Sequence, residues 1–265
     1  MTLDRCCALV TGASAGIGRE IARQLASRAH QLILVARRAG RLKELEAELR
    51  AEHPKLDIRS RPVDLSDPNE LALLTSWLEA ERIPINVLIN NAGLGDIGPV
   101  ASADPHKLQQ IVLVNVNALT VLTRALLPQM LAGRNGAILN VSSCAGFLPI
   151  AGFAVYAASK AYVTAFSEAL RAELRHTGIT VTALCPGPVN TEFTDIAYRQ
   201  GSQRQPTPEF VHVSATRVAR LALEGLEDDK PLIIPGAIMK MAMAVVRLTP
   251  MPILRMLSRL SAKRT

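Results

Sequence analysis

Two residues four positions apart, Tyr156 and Lys160, could carry out proton transfer together. In a helix this spacing places both side chains on one face, one turn apart. An ammonium group favours the charged form of a neighbouring phenol, so Lys160 could lower the pKa of Tyr156 from its ordinary value of about 10. Ser143 follows a predicted strand thirteen residues upstream and could point into the same cleft. The pair alone is weak evidence for a catalytic site, and the position of Ser143 strengthens it.

A glycine-rich segment near the N-terminus could hold a phosphate group. Residues 11–18 read TGASAGIG and lie between an apolar run and a helical pattern. Glycines let the backbone approach a pyrophosphate closely, and the following helix offers free N–H groups and a partial positive charge. The segment predicts dinucleotide binding, and a tight turn without a ligand is the alternative. The predicted contact residues are Gly12, Ser14, Gly16, Ile17 and Gly18.

Two other functions use similar glycine patterns. Residues 12–16 match GxSxG, the nucleophile elbow of α/β-hydrolases, but that fold takes its oxyanion-hole loop from an earlier strand. Only one predicted strand precedes Ser14, which disfavours the hydrolase reading. A P-loop needs Gly-Lys followed by Ser or Thr, whereas Gly18 is followed by Arg19 and Glu20.

The end of the second predicted strand bears on the choice between NADP and NAD. Arg37 and Arg38 follow that strand, and Arg37 comes nineteen residues after Gly18. A carboxylate at this place would bind the ribose hydroxyls of NAD, whereas a guanidinium can bind the 2′-phosphate of NADP. The pattern predicts NADP(H), with Arg37 preferred over Arg38 as the phosphate ligand. Ordinary solvated charge at a strand end is the alternative.

Short apolar runs alternate with longer helical patterns along most of the chain. The predicted strands are 6–10, 32–36, 57–63, 86–90, 137–142, 179–184 and 231–234. The predicted helices are 17–28, 40–52, 68–81, 105–132, 155–176 and 214–226. This alternation predicts an α/β fold with a doubly wound, Rossmann-type parallel sheet of about seven strands. We expect one catalytic domain, 1–235, and a helical C-terminal extension, 236–265.

The positive charge is concentrated in the tail. The chain has 265 residues and a net charge of +7, and residues 231–265 contribute +6 with no Asp or Glu. The remainder is near neutral and shows no recognition module, so nucleic-acid binding is not expected. Four cysteines without zinc spacing predict a reducing compartment and no metal site. No secretory signal is recognised, and a cytoplasmic location is expected.

The tail itself is apolar and methionine-rich, and Pro250 and Pro252 should divide it into two helical pieces. Basic residues share a face within each piece: Lys240, Arg247, Arg255 and Arg259. Such an amphipathic helix could make peripheral contact with an anionic membrane surface. A helix that covers a partner subunit or the substrate lid is the alternative, and it is slightly favoured.

Five short motifs resemble, in order, those of the short-chain dehydrogenase/reductase family. They are TGASAGIG at 11–18, NNAG at 90–93, NVSS at 140–143, YAASK at 156–160 and PGPVNTEF at 186–193. The resemblance runs from residue 6 to about 193. It implies an NADP(H)-dependent enzyme that interconverts a ketone or aldehyde and an alcohol. It also implies a homodimer or homotetramer.

The resemblance assigns Tyr156 as the general acid for carbonyl reduction and as the base for the reverse reaction. It assigns Ser143 a hydrogen bond to the substrate oxygen, in preference to the adjacent Ser142. Useful basicity near neutral pH would need the pKa of Tyr156 to fall by roughly 2–3, and Lys160 should supply part of that.

Two further catalytic roles come from the resemblance alone. Lys160 is expected to bind the nicotinamide ribose. Asn115 is expected to link Lys160 to a water relay, with Asn117 as a nearby rival.

The remaining cofactor contacts are also implied by the resemblance. Asp64, followed by Leu65, matches the position that accepts a hydrogen bond from the adenine amino group, although helix capping could also explain Asp64. The segment beside the adenine-side ribose and the central sheet is Asn90, Asn91, Ala92 and Gly93. The segment around the nicotinamide carboxamide is Pro186, Gly187, Val189 and Thr191.

Residues 192–213 are expected to form the substrate lid, because loops carry specificity in this kind of fold. Its apolar candidates are Phe193, Ile196 and Tyr198. Arg199 and Arg204 could meet an acidic substrate, but solvated loop charge is favoured for both. Similar tails in the family branch with the motif PGxVxTxF imply a lipid-like or steroid-like ketone. The alternative function is a non-catalytic NADP-binding regulatory or scaffold protein.

Overall fold

The strands of this chain meet in one parallel sheet. The computed structural model describes residues 2–199 and 208–262, and the side chains of all of these except Phe210 and residues 257–262. The strands are β1 (Cys7–Thr11), β2 (Gln31–Ala36), β3 (Asp57–Pro62), β4 (Val87–Asn90), β5 (Gly136–Val141), β6 (Ile179–Leu184) and β7 (Leu232–Ile233). Their order across the sheet is β3-β2-β1-β4-β5-β6-β7, and every pairing is parallel. The predicted seven-stranded, doubly wound fold is confirmed.

Helices connect the strands and cover both faces of the sheet. They are α1 (Gly16–Ala26), α2 (Ala39–Glu52), α3 (Pro68–Ala80), α4 (Pro105–Val112), α5 (Leu119–Gly133), α6 (Ala154–Glu173), α7 (Glu192–Ala197), α8 (Ala215–Glu227), α9 (Ala237–Leu248) and α10 (Met251–Ala262). Short 3-10 turns cover Val100–Ser102, Cys144–Phe147 and Glu209–Val211. The six predicted helices lie at their expected places, and α7 lies within the expected lid.

Consecutive residues of the central strands point into two different cores. In β2, Leu32 and Leu34 pack with α1, α2 and α8 on one face. Ile33 and Val35 pack with α3, α5 and α6 on the other. A strand covered on both faces cannot show polar residues at alternate positions, which explains the unbroken apolar runs in the sequence.

The strand order reverses between β1 and β4, which are neighbours in the sheet although β2 and β3 lie between them in sequence. In open α/β sheets a ligand cleft forms at such a switch point, beyond the carboxyl ends of the strands. The loops that follow β1, β4, β5 and β6 line one cleft here, with a cavity volume of about 1130 Å³.

The long helix predicted over 105–132 is interrupted. Between α4 and α5 the backbone forms a π-helical segment, Leu113–Ala118, with Asn115 inside it. The whole run Pro105–Gly133 is long and apolar enough to cross a bilayer by length and composition. In this fold it packs against the sheet, through buried residues that include Leu122 and Leu126. π-Helical turns are often found at functional sites, so this segment identifies Asn115 as a candidate functional residue.

The tail forms two helices, α9 and α10, which separate at the proline pair as predicted. The inner face of α9 lies on the body of the fold, where Met239 contacts Gly187 and Met243 is buried. Met239 and Met243 both line the cleft. The division at residue 235 follows the last strand and remains a prediction, but α9 contributes directly to the site.

Candidate active site

Tyr156 lies at the centre of the cleft, in the first turn of α6. Its ring stacks on Phe153 with centroids 4.2 Å apart and tilts against Phe193 at 5.4 Å. The ammonium nitrogen of Lys160, one turn later, lies 5.7 Å from the centroid of the Tyr156 ring. It donates a hydrogen bond of 2.8 Å to the carbonyl oxygen of Val141 at the end of β5. The predicted pair therefore shares one face of a helix and points into the cleft.

Burial dominates the acid–base properties of this pair. It raises the pKa of Tyr156 to about 12, and a hydrogen bond with Ser143 offsets only part of this effect. Burial also lowers the pKa of Lys160 to about 8. The expected lowering of the Tyr156 pKa is therefore wrong for the groups of this chain. The Tyr156 phenol is therefore protonated at neutral pH, as an ordinary phenol is, and its raised pKa makes it a weaker acid than a solvated one.

The structure distinguishes the two serines that follow β5. Ser143 lines the cleft, and its side chain also caps the following 3-10 turn by accepting from the N–H of Ala145 at 3.1 Å. Ser142 is buried, and its hydroxyl donates to the carbonyl oxygen of Lys160 at 2.7 Å. Ser142 therefore anchors α6 to β5, whereas Ser143 faces Tyr156.

Asn115 is buried beside the site and touches it indirectly. Its side chain accepts from the N–H of Leu94 at 2.8 Å and donates to the carbonyl oxygen of the same residue at 2.9 Å. It also donates to the Ser159 hydroxyl at 2.9 Å. A Cβ atom on Gly93 would lie 3.3 Å from Lys160 Nζ and 3.5 Å from Asn115 Oδ1, so both side chains border the same glycine.

The neighbouring Asn117 is half-buried and does not line the cleft within the described part of the chain. Asn115 does not line the cleft either, but its hydrogen bonds to Leu94 and its position beside Lys160 at Gly93 place it better than Asn117 to connect Lys160 with the loop after β4. The water relay itself stays an expectation.

The glycine loop leaves room for backbone and ligand only. A Cβ atom on Gly12, whose φ is +68°, would lie 2.7 Å from Asn91 Nδ2. A Cβ atom on Gly18 would lie 2.3 Å from the same nitrogen and 2.5 Å from the carbonyl oxygen of Gly12. Asn91 Nδ2 in turn donates to the carbonyl oxygen of Thr11 at 2.9 Å. Gly18 therefore packs the helix onto the loop, and it does not itself line the cleft.

The start of α1 fits a pyrophosphate group. Its N-cap residue is Ala15, which has no side-chain acceptor, and no side chain caps the first turn. The first-turn N–H groups, the helix dipole and the close approach at Gly12 and Gly16 together form the anion site that the motif predicts. Ser14, Gly16 and Ile17 line the cleft at this place.

The two candidate phosphate arginines have different surroundings. Arg38 donates from Nε and Nη2 to the Ser14 hydroxyl, both at 3.3 Å, which places its guanidinium beside the glycine loop. Arg37 lies 3.8 Å from a carboxylate oxygen of Asp64. Both line the cleft. The geometry favours Arg38 over Arg37 as the phosphate ligand, contrary to the preference from sequence.

Beside Arg38 lies a third residue that was not identified from the sequence. Glu192, in the first turn of α7, accepts a hydrogen bond of 2.7 Å from Arg38 and another from Arg41. These arginines lower the pKa of Glu192 to about 2. The lid helix is therefore linked to the arginines at the other end of the cleft. Only the fold reveals this link, because 154 residues separate Arg38 from Glu192.

At the adenosine end, Asp64 accepts from the N–H and the hydroxyl of Ser66, at 2.9 and 2.7 Å. The N-cap of α3 is Asp67 and not Asp64, so helix capping does not explain Asp64. The predicted residues that line the cleft around this end and the central sheet are Asp64, Leu65, Asn91, Ala92 and Gly93.

Asn90 is the exception in its segment. It is buried within β4 and does not line the described cleft. Its amide donates to Asn140 Oδ1 at 2.9 Å and to the Thr123 hydroxyl at 3.1 Å. Asn90 therefore supports the sheet below the cofactor site, and its burial is unfavourable to the predicted direct cofactor contact.

At the nicotinamide end, the predicted residues Pro186, Gly187, Val189 and Thr191 all line the cleft. Thr191 is the N-cap of α7, and a Cβ atom on Gly16 would lie 3.1 Å from its methyl carbon. The lid helix therefore begins against the glycine loop. Cys144 is buried, and desolvation raises the pKa of its thiol to about 12, so it is not an activated nucleophile.

The lid supplies the apolar wall that was expected. Phe193, Ile196 and Tyr198 line the cleft. Arg199 is neither solvated nor directed at the cleft, because Asp96 binds its guanidinium at distances down to 2.6 Å. Arg204 lies outside the described residues.

The fold and the site together define a dinucleotide-dependent oxidoreductase with a buried tyrosine and lysine in its cleft. A family model described as short chain dehydrogenase matches residues 6–200. The NADP-dependent 3-hydroxy acid dehydrogenase YdfG of Escherichia coli (strain K12) is 37% identical over 195 residues, which are 72% of this chain and 76% of that protein. The chain spans only 60% of the length of another curated relative, which is 39% identical.

Solved structures extend the similarity to most of the chain. A short-chain dehydrogenase from Sphingobium yanoikuyae in complex with NADPH is 32% identical, with a TM-score of 0.79 over 91% of this chain and 93% of that one. The bulky-bulky ketone specific alcohol dehydrogenase from Comamonas testosteroni is 28% identical, with a TM-score of 0.75 over 93% and 95%. This chain belongs to the short-chain dehydrogenase family. Its class is that of NADP(H)-dependent oxidoreductases acting on CH–OH groups.

Proposed function

We propose that this protein reduces a ketone or aldehyde to an alcohol with NADPH, and that Tyr156 is the proton donor. The observation that carries the proposal is the Tyr156 phenol, which is buried in the lining of the cleft together with Ser143 and Lys160. No observation favours a non-catalytic scaffold protein. In a reducing site the donor must hold its proton until the hydride arrives, and this tyrosine does so at neutral pH.

The residues of the chain have separate tasks in this reaction. NADPH supplies a hydride to the carbonyl carbon when it is bound. Ser143 donates a hydrogen bond to the substrate oxygen and holds it near Tyr156, which transfers its proton to that oxygen to give the alcohol. Lys160 would bind the nicotinamide ribose, and the phenolate left on Tyr156 would regain its proton from solvent water by way of Lys160. Asn115 holds the loop at Leu94 and the start of α6 in register.

We further propose an apolar ketone as the substrate. The lining of the substrate end is formed largely by apolar side chains: Leu94, Ile97, Leu148, Ile150, Phe153, Phe193, Ile196, Met239 and Met243. Within the described lining, Lys160 is the only lysine or arginine at this end, since Arg37 and Arg38 lie at the adenosine end. The 3-hydroxy acid named for the Escherichia coli relative would need a cation for its carboxylate, which favours a neutral, bulky ketone here.

A matched pair of substrates tests this proposal. Acetophenone and benzoylacetate present the same aryl ketone, and the second adds a carboxylate. We expect kcat/KM with NADPH to be at least about tenfold higher for acetophenone, a difference of about 1.4 kcal/mol in transition-state stabilisation. Equal or higher values for benzoylacetate would overturn the apolar assignment and leave the oxidoreductase class intact.

The outer face of the tail supports a second proposal, peripheral contact with an anionic membrane. Met241, Val245 and Leu248 are 64%, 66% and 86% exposed on α9. Lys240, Arg247, Arg255 and no acidic residue lie on α9 and on α10 up to Met256. Apolar side chains flanked by cations match the chemistry of an anionic lipid surface.

Vesicle binding of the full chain tests this contact. The variant Met241→Ser/Val245→Ser/Leu248→Ser removes the apolar face, and Leu73→Ser on α3, with a side chain that is 70% exposed, is the matched control. We expect the control to bind phosphatidylserine vesicles and the triple variant to bind them at least about fivefold more weakly. Equal vesicle binding by the wild type, the control and the triple variant would overturn the proposed membrane contact. A change in oligomer mass in the triple variant alone would also overturn it.

A homodimer or homotetramer and a cytoplasmic location remain proposals from the family resemblance. Light scattering coupled to gel filtration measures the first. A monomer at micromolar concentration would contradict it.

A further inference from the structure

A buried carboxylate joins the loop after β4 to the substrate lid. Asp96 has a side chain that is only 2% exposed, and Arg199 binds both of its oxygens, with Nη2 to Oδ2 at 2.6 Å and Nε to Oδ1 at 3.1 Å. Lys107 Nζ lies 3.2 Å from Oδ1. We name Asp96, Lys107 and Arg199 the lid clamp. It combines residues from the loop after β4, the helix α4 and the part of the lid that follows α7.

Further hydrogen bonds beside the clamp join the lid to α4 and to the loop after β4. The N–H of Ile97 donates to the carbonyl oxygen of Ala197 at 2.8 Å, and Ile97 pairs with Tyr198 as a short parallel bridge. Lys107 Nζ also donates to the carbonyl oxygen of Ile196 at 3.2 Å. Arg199 makes two further contacts on the loop, to the Ser102 hydroxyl at 2.9 Å and the Pro99 carbonyl at 3.0 Å.

Two glycines let the joined segments approach closely. A Cβ atom on Gly98 would lie 2.5 Å from the Arg199 guanidinium. A Cβ atom on Gly95 would lie 2.8 Å from the Phe193 ring, which itself packs against Tyr156. A shift of the lid relative to this loop would therefore move the aromatic wall that faces the catalytic tyrosine.

Asp96 acts behind this wall, because its neighbours Gly95 and Ile97 line the cleft while Asp96, Lys107 and Arg199 do not. A carboxylate this deeply buried is stable only when it is paired and hydrogen-bonded. Hydrogen bonds from Arg199 and Lys107 lower its pKa, so it stays ionised at neutral pH. Within the described residues, the nearest groups with charge that face it are these two cations.

We propose that the lid clamp sets the position of the substrate wall and thereby the selectivity of the enzyme for bulky over small ketones. Asp96, Lys107 and Arg199 are positioning residues that act through Ile97, Phe193 and Tyr198. The proposal rests on the proposed ketone reduction for its kinetic test. Its structural test does not depend on any substrate.

Arg199→Met and Arg199→Lys test the clamp in the full-length protein with NADPH. Arg199→Met removes both the positive charge and the bidentate hydrogen bonds of the guanidinium group. Arg199→Lys keeps the charge but loses the bidentate hydrogen bonds. Arg220→Met is the matched control, because Arg220 is exposed and lies 3.8 Å from Glu224 on α8, away from the lid. Asp96→Asn is a further variant, but it leaves two partly buried cations without their carboxylate and could fail to fold.

The kinetic arm compares acetophenone with acetone. In Arg199→Met we expect KM for acetophenone to rise about tenfold or more, with kcat within about threefold of wild type, KM for acetone nearly unchanged and NADPH affinity within about twofold. Arg199→Lys should recover part of this loss, and Arg220→Met should match wild type. An unchanged acetophenone-to-acetone ratio in folded Arg199→Met, or an equal loss for both ketones, would overturn the proposal.

The structural arm measures amide hydrogen exchange of the peptide that contains Ile97. Loss of the clamp should free the N–H of Ile97 from Ala197, and its exchange should accelerate about tenfold in Arg199→Met but not in Arg220→Met. Unchanged exchange would overturn the clamp even if the enzyme reduces ketones. Accelerated exchange in a protein without ketone turnover would retain the clamp and reject the proposed function instead.

Discussion

The two ends of the cleft are built in different ways. At the glycine loop of the cofactor end the surface is formed by backbone, with Gly12 and Gly16 and an uncapped helix start. At the substrate end it consists of side chains on the lid and on α9, held by the lid clamp and by Met239 and Met243. Backbone geometry tolerates almost no substitution, whereas a wall of side chains can change while the fold stays the same. The chemistry is therefore fixed at one end and the selectivity is adjustable at the other.

A Cβ atom at Gly18 should produce the largest effect at the cofactor end. Gly18→Ala would place that atom 2.5 Å from the carbonyl oxygen of Gly12, so the loop must move. We expect NADPH affinity to fall about 100-fold or more and the free energy of unfolding to fall by about 3 kcal/mol. Gly40→Ala is the control, because Gly40 has nothing within 4 Å of its added atom. It should stabilise α2 by about 0.5–1 kcal/mol. Wild-type NADPH affinity in Gly18→Ala would contradict this account of the loop.

Loss of one arginine should affect one cofactor only. In Arg38→Leu we expect the Kd for NADPH to rise at least about tenfold, while the Kd for NADH stays the same, because only NADPH carries the 2′-phosphate. Arg37→Leu should show a smaller change. Parallel fluorescence titrations at fixed salt measure both. A larger effect in Arg37→Leu would restore the sequence-based preference, and equal losses for both cofactors would remove the arginine argument.

Lys160→Met should remove activity but raise the stability of the protein, and we expect this effect to be smaller than the two above. The pKa of Lys160 is about 8 in the fold and 10.5 when unfolded, so the unfolded chain binds more protons between these values and wild-type stability rises from pH 8 to pH 10.5. Below pH 8 the buried ammonium of the wild type lowers the free energy of unfolding by its full desolvation cost, about 3 kcal/mol. Lys160→Met removes this cost, but it also removes the hydrogen bond to Val141, which offsets part of the gain in stability. We expect the inactive variant to be more stable than wild type by about 1–2 kcal/mol at pH 7.

Urea unfolding at pH 7 and at about pH 9.5 measures this difference. The advantage of Lys160→Met should shrink at the higher pH. A variant that is less stable at both values would show that Lys160 is a structural residue first.

The same contrast between the two ends explains what could be predicted from the sequence. Unbroken apolar strands, the glycine spacing and the Tyr156–Lys160 pair are local signals, and the fold and the glycine-loop contacts followed from them. The remaining lining residues followed from the family resemblance of the short motifs. The lid clamp was not foreseen, since Asp96 and Arg199 are 103 residues apart and each resembles ordinary loop charge. Asn90 was misplaced for a related reason. Its motif is local, but its buried partners Asn140 and Thr123 belong to other elements.

The preference for Arg37 over Arg38 stays a prediction, although the contacts of Arg38 favour the opposite order. Adjacent residues after a strand point in different directions, and only the contact of Arg38 with Ser14 shows which one faces the glycine loop. The rise in the Tyr156 pKa was also unforeseen, because burial is a property of the assembled site and not of the spacing to Lys160.

Replacement of Tyr156 by Phe tests the central claim most directly. NADPH consumption with acetophenone and NADPH binding should be measured on the same preparations of wild type and Tyr156→Phe. We expect turnover to fall by about 10²- to 10⁴-fold, as for loss of a general acid, with the Kd for NADPH within about twofold. Wild-type turnover in Tyr156→Phe would contradict the assignment of the proton donor. NADPH binding without turnover in the wild type, across a screen of ketones and aldehydes, would contradict the enzyme and favour the scaffold protein.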